Sequence, residues 1–288
     1  MELIKSALCR NTVCLLLISA AVLAVYFNAV DAPFVLDDPR VVERNIKLRD
    51  IGNFLDAREL FDARPLVNLS FALDYRIAGL DVELYHVTNF LIHILNAFLV
   101  FFLARLVFAL SLPDETENFS ICCAAPFFAA ALFALHPVQS QAVIYISQRA
   151  ALMACFFYLL AVICFILARR LQTQKQPAYQ YGPLLGLCLV FALCAFLSKK
   201  NAASIPLAIL LVELLFFDNS WAGWKKKLPV LIGLVALISL AFLWFAGAFK
   251  ADLAQLPGRM DGLTRETTDV SRWQYVCTQL TGIILYLK

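Results

Sequence analysis

Two adjacent carboxylates, Asp37 and Asp38, stand in the stretch PFVLDDPRVVERN, a few residues after a long apolar run. A carboxylate within hydrogen-bond reach of an attacking hydroxyl can take its proton, which is general-base work. Carboxylates that converge raise one pKa and improve the base. Consecutive residues of an extended chain point apart, however, so one acid can face a substrate while the other holds a cation. A turn is the plainer reading, because Asp before Pro39 favours turn initiation.

Cations recur in three other segments: Arg64 in DARPLVNLSF, Arg149 in YISQRAAL, and Lys199 with Lys200 in FLSKKNAASIP. Arg suits a phosphate through its planar fork and Lys as a point charge. Arg64 as an interfacial anchor, and the two lysines snorkelling to the interface, are the plainer roles. His136 and Gln141 lie in ALHPVQSQAV, where His136-Pro137 could simply end a helix. In YHVTNFLIHILNAF, His86, Asn89, His93 and Asn96 follow at spacings of three, four and three. At about 100° per residue they share one helix face, with His93 about 10 Å below His86. Polar groups at that depth face a bundle interior or a wet cavity. Hydrogen bonding to neighbouring helices would be reason enough for them.

The elements that must position these residues are membrane helices. Of 288 residues, 62% are hydrophobic and only 16% charged, and mean hydropathy is +0.77. A soluble domain is about half apolar and about a quarter charged. Apolar runs at about 12–30, 87–110, 121–135, 150–168, 183–197, 203–217, 228–247 and 273–287 predict roughly eight spans. The first run follows Lys5 and Arg10 and reads as an uncleaved anchor. The nine cysteines show no CxxC and no Cys/His metal spacing, so they read as small apolar residues. Asn68-Leu-Ser70 matches a glycosylation sequon, a pattern short enough to occur by chance. No Walker loop, GxGxxG, HExxH or GxSxG is present, so soluble nucleotide chemistry and nucleic-acid binding have no support.

Lys5 and Arg10 predict a cytoplasmic N-terminus; Arg169, Arg170, Lys175 and Lys225–Lys227 then fall on the same side. The acidic 111–120 loop also falls inside and adds no support. The external face holds 31–86, 136–149, 198–202 and 248–272, and so collects Asp37, Asp38, Arg64, His86, His136, Gln141, Arg149, Lys199 and Lys200, with Asn89, His93 and Asn96 deeper in the second span. Within 31–86, IGNFLDARELF has the pattern of a short helix lying on the membrane surface. The expected fold is therefore all-α and polytopic, with a catalytic face at the membrane–water boundary. A divalent cation on Asp37 or Asp38 is compatible with hard-cation chemistry.

Several stretches resemble a known family. These are PFVLDDPRVVERN, ARPLVNLSFALDYRIAGLDVELYHVTNFLIHILNAFLVF, AALFALHPVQSQAVIYISQRAALMACFFYLLA and LSKKNAASIPLAILLVELLFFD, with RWQYVCTQLTGIILYLK further on. The family is that of the transmembrane and tetratricopeptide-repeat proteins, which includes O-mannosyltransferase-like members and bacterial relatives. It is similar to the wider GT-C glycosyltransferases, all-helical membrane enzymes that use a lipid-phosphate-linked sugar. The resemblance implies one GT-C-like membrane domain over 1–288, incomplete at its C-terminus, in an inner membrane if the source is bacterial. It implies transfer from a polyprenyl-phosphate sugar to a protein or glycan hydroxyl. Asp37–Asp38 match the acidic pair taken to hold the catalytic acid, with Asp37 the first choice of base and Asp38 the second. Arg64-Pro65-Leu66, His136-Pro137-Val138 and Arg149 match further motifs. Arg64, Arg149, Lys199 and Lys200 would then meet the donor phosphate, supported by His86, Asn89, His93, His136 and Gln141. Two positions depart from the pattern: Gln141 and Lys200 stand where the family commonly has acids. Those departures favour a non-catalytic scaffold or donor-lipid binder as the competing reading. A transporter using the His86–His93 stripe is a third.

Overall fold

A computed structural model of the chain describes residues 2–54, 64–111 and 119–217, and single helical positions at 225, 229, 232, 273, 274, 277 and 278. Apart from those single positions, the expected spans at 228–247 and 273–287, most of the acidic 111–120 loop and the 248–272 segment lie outside the described residues. The chain falls into two compact units, Met1–Lys226 and Lys227–Lys288. Every element named below belongs to the first.

All regular structure among the described residues is helical. The α-helices are α1 (Glu2–Tyr26), α2 (Pro65–Ala78), α3 (Val82–Ser111), α4 (Phe119–Leu135), α5 (Ser140–Ile144), α6 (Arg149–Thr173), α7 (Ala178–Ser198) and α8 (Ile205–Val212). Five helical segments are long and apolar enough to cross a membrane: Asn11–Ala29, Val82–Ser111, Ile146–Thr173, Ala178–Ser198 and Lys200–Phe217. A sixth forms if Ala124–Leu135 and Pro137–Ile144, bent by 48°, count as one. These are the first six expected spans, and the chain is a multi-pass, all-α membrane protein.

The bend has a local cause. The residue before a proline is pushed out of the α region, and His136 sits at φ −63°, ψ 131°. Helix α4 therefore stops, and its last carbonyls lack intrahelical partners. The Ala134 carbonyl accepts from Tyr26 Oη at 3.3 Å and His93 Nε2 at 2.9 Å. Downstream, His136 Nδ1 accepts from the Val138 N–H at 3.2 Å and starts the next helical turn.

Each member of the α3 polar stripe meets a backbone carbonyl of another segment. His86 Nε2 reaches Ala32 at 3.0 Å, Asn89 Nδ2 reaches Val143 at 3.3 Å and Asn96 Nδ2 reaches Leu152 at 3.0 Å. All four polar residues are buried. Beside them, Phe90, Ile94, Ala97 and Phe101 pack on Ile18, Val22 and Tyr26 of α1 and on Ala130 and Ala134 of α4. The opposite side of α1 leaves Leu16, Leu17 and Leu23 exposed. In a bilayer these need no protein partner, since lipid tails are as apolar as leucine. His93→Phe keeps the packing and removes one donor to Ala134. We expect it to lower stability by about 1 kcal/mol, read from detergent unfolding, and an unchanged midpoint would refute that role.

The loop between α1 and α3 is more helical than its sequence suggests. IGNFLDARELF begins as the 3-10 turn Ile51–Phe54, and the rest of that stretch lies outside the described residues. The main helix is α2, with Pro65 at its first turn, where its missing N–H costs nothing. It ends at Gly79, whose φ of 63° favours a residue without Cβ. The Tyr85 hydroxyl fixes this corner by donating to the Gly79 carbonyl at 2.8 Å. Val67, Phe71 and Ala72 of α2 join Val42, Leu48, Tyr85, Ile146 and Ala150 in a second core under the loop. Ser70 of the sequon lies within α2; its hydroxyl donates to the Val67 carbonyl at 2.7 Å.

Candidate active site at the loop end of the bundle

The chain breaks again at Tyr145, where ψ of 108° separates α5 from the 3-10 turn Ile146–Gln148 that leads into α6. This break organises the loop end. Asp38 lies over it, only 1% exposed. Its Oδ1 accepts from the Ser147 N–H at 2.7 Å, and its Oδ2 from the Val35 N–H at 3.2 Å. A carboxylate at the start of a helix meets both unpaired N–H groups and the positive end of the dipole. With the Ser147 N–H turned to Asp38, the Val143 carbonyl is left for Asn89. Asp38 therefore closes the break from outside and Asn89 from within.

Asp37 points the other way. Its side chain is 60% exposed, with Arg40 Nη2 at 3.4 Å. Its backbone N–H donates to the Tyr145 hydroxyl at 2.8 Å. The turn that separates the two acids is strained. Leu36, just before them, has φ of 53°, a region that costs a branched residue roughly 1–2 kcal/mol. Arg64 has φ of 65° and is exposed at the head of α2. Of the three non-glycine residues with positive φ among the described residues, Leu36 thus adjoins a candidate site residue and Arg64 is one.

The floor of this end is an ion pair. Arg149 is wholly buried. Its Nη1 lies 2.6 Å from Asp74 Oδ2, its Nε donates to Asn89 Oδ1 at 2.7 Å, and its Nη2 donates to the Tyr85 carbonyl at 2.9 Å. Ser70 Oγ is 3.3 Å from Nη1, and the guanidinium lies 4.3 Å from the Phe71 ring centroid. Every guanidinium nitrogen has a protein partner. The sequence places Arg149 among phosphate-facing cations; the structure places it beneath the surface, joining α2, α3 and α6. Asp74 also accepts from Thr88 Oγ1 at 3.0 Å. Burial pushes its carboxyl up from the ordinary value, while Arg149 and Thr88 pull it back.

Lys199 is half-buried at the end of α7 and donates to Gln148 Oε1 at 3.3 Å, which brings it to the same broken segment. Lys200 is exposed at the start of the 3-10 turn Lys200–Ser204. His136 is exposed ahead of the turn that leads into α5, and Gln141 is exposed within α5. The candidates therefore separate into two groups. Asp37, Arg64, His136, Gln141 and Lys200 face outward, with Lys199 partly so; Asp38, His86, Asn89, His93 and Arg149 form the interior. Among the described residues no three His, Cys, Asp or Glu side chains group as metal ligands.

Asp74 and Tyr145 are missing from the sequence reading. Asp74 was legible in principle. Once 65–78 is read as helical, spacings of four and three put Asp74 on the face of Val67 and Phe71. An acid on an apolar face calls for a buried cation. Tyr145 carries no such signal, because its role depends on a backbone turn 108 residues away in the chain.

Comparison with known proteins follows the same lines. The protein O-mannosyl-transferase Tmtc1 of Drosophila melanogaster is 31% identical over 210 residues, 68% of this chain and 22% of its own length. The protein O-mannosyl-transferase TMTC2 of Homo sapiens is 28% identical over 82% of this chain and 28% of its own. Drosophila Tmtc2 is 28% identical over 91% of this chain and 27% of its own. The chain thus spans about a quarter of the length of the curated relatives it matches. No family model and no solved structure matches it.

Proposed function

We propose that this relative of the TMTC protein O-mannosyl-transferases carries a membrane glycosyltransferase site at its loop end. It would transfer a sugar, mannose by the relatives' names, from a polyprenyl-phosphate donor to a protein or glycan hydroxyl. In this reading the loop end is the external face and the N-terminus is cytoplasmic. One observation carries the proposal. The two adjacent acids are split, so that Asp38 holds the fold while Asp37 is presented to solvent, with Arg40 at 3.4 Å.

The chemistry follows from that division. The acceptor oxygen attacks the anomeric carbon as the bond from that carbon to the donor phosphate oxygen breaks. Asp37 takes the hydroxyl proton. Charge grows on the departing lipid phosphate, and in this reading the exposed Arg64 and Lys200 and the half-buried Lys199 are the cations that would meet it. Attraction that strengthens as charge develops lowers the barrier rather than merely binding substrate. Arg149 and Asp38 serve as the floor, keeping the Tyr145–Arg149 segment in place under the reacting groups. His86, Asn89 and His93 support that floor through the carbonyls they bind.

The direct test is to express the chain in membranes and follow label from a polyprenyl-phosphate mannose into an acceptor peptide. Transfer above a vector control is expected. No turnover together with no donor binding would remove the enzyme reading. Donor binding without turnover would favour the non-catalytic alternative, for which the exposed glutamine at 141 is the specific support. The transporter reading is weakened because the His86–Asn96 stripe is filled by backbone carbonyls rather than lining a path.

A further inference from the structure

Helix α6 carries a second arginine pair at its other end. Arg169 Nε and Nη2 donate to Glu213 Oε2 and Oε1, both at 2.7 Å, a two-pronged fork. Nη1 of Arg169 donates to the Gln172 side chain, and the guanidinium lies 5.4 Å from the Phe217 ring centroid. The Glu213 side chain is 7% exposed and that of Arg169 24%. Glu213 is the first residue of a π-helical turn, Glu213–Phe217, that directly follows α8. Such turns are rare and tend to occur where function requires them. Glu213 is also the one ionisable residue in the expected span 203–217. An intramembrane acid is costly without a partner.

The position matters as much as the pairing. Arg149 and Arg169 are twenty residues apart in one continuous helix, which is about 30 Å of rise, the thickness of the hydrocarbon core. Helix α6 is therefore tied at both boundaries, to α2 through Asp74 and to the end of α8 through Glu213. The segment Lys200–Phe217 begins with Lys200 and ends at this fork. Its near end is also held, through Lys199 and Gln148, to the start of α6. Fixing a rigid segment at its far end sets where its near end can lie.

We propose that Arg169 and Glu213 form a positioning pair, which holds the Lys200–Phe217 segment in register with α6 and thereby sets Lys199 and Lys200 at the rim. Its effect on turnover rests on the donor-phosphate reading of those lysines. Neither member touches the reacting groups, so the pair acts through the lysines alone.

The experiment compares Glu213→Gln, Arg169→Lys and the exchange Arg169→Glu with Glu213→Arg in the full chain. The first readout is amine acetylation of Lys199 relative to Lys200, resolved by peptide fragmentation. Loss of the fork should raise the Lys199 rate about fivefold as its segment loosens, and the exchange should restore protection. The second readout is transfer from polyprenyl-phosphate mannose. The kcat and the kcat/KM for donor should fall together, by about tenfold, the pattern of an interaction that strengthens in the transition state. A detergent melt run on each variant separates this from general unfolding. The proposal is overturned if Glu213→Gln leaves Lys199 protected. It is equally overturned if the exchange is as impaired as either single variant. A wild-type chain that binds no donor would instead sink the phosphate reading, while the acetylation result still decides the positioning claim.

Discussion

Asp37→Asn is expected to abolish nearly all sugar transfer and leave the protein folded, whereas Asp38→Asn is expected to lower stability far more than transfer per folded molecule. The amide at 37 cannot accept the acceptor's proton, so the rate should fall by about two to four orders of magnitude. Its side chain is exposed and, among the described residues, meets Arg40 at 3.4 Å on the surface, an ion pair worth about 0–1 kcal/mol. Stability should therefore hardly change. Asp38 accepts two backbone N–H groups and is itself buried. Replacing it by Asn turns one acceptor into a donor that faces an N–H, at a cost of about 1–3 kcal/mol. Transfer per folded molecule and the unfolding midpoint in detergent separate the two effects. A fully active Asp37→Asn variant would remove the base assignment. An Asp38→Asn variant of wild-type stability would remove the helix-closing role.

The largest stability effect belongs to the buried pair. Asp74→Ala leaves the Arg149 guanidinium charged, enclosed and without its counter-ion, which is expected to cost about 3–5 kcal/mol. Replacing both, as Asp74→Leu with Arg149→Met, removes the uncompensated charge and should recover most of that loss. The double variant would still strand Asn89 Oδ1 and the Tyr85 carbonyl, which Arg149 now satisfies, so recovery should be incomplete. A cycle of wild type, Asp74→Leu, Arg149→Met and the double variant, unfolded in detergent, gives the coupling directly. A loss below about 0.5 kcal/mol for Asp74→Ala, the range of ordinary surface changes, would mean the pair does not hold α2 to the bundle.

Much of this architecture was legible because membrane helices are specified locally. An apolar run of sufficient length declares a span, and the six expected within the described residues are present, the third as a bent pair. The His136-Pro137 break was legible as well, since proline acts on its immediate neighbour. The four polar residues of α3 were readable as one buried face from their spacing alone. Helix α2 was not, because it is neither long nor uniformly apolar and owes its burial to a core assembled from the loop, α3 and α6. Glu213 stood in plain view as a lone acid in an apolar run. Its partner Arg169, however, reads in sequence as one of several cytoplasmic cations.

What the sequence by itself determined is the class of protein, the order of its spans and the set of residues able to do chemistry. Residue type, run length and helical spacing are local properties, so they survive without coordinates. Only the tertiary structure decided which of those residues face outward. Asp37 and Asp38 are chemically identical neighbours, and nothing in their spacing says which is buried. The choice is made by a turn strained at Leu36 and anchored at both acids, through Tyr145 and Ser147, on a segment more than a hundred residues away. Arg149 likewise matches the phosphate-binding cations by type and by end of the molecule. A carboxylate from α2 and an amide from α3 converge on it, and that convergence made it part of the floor.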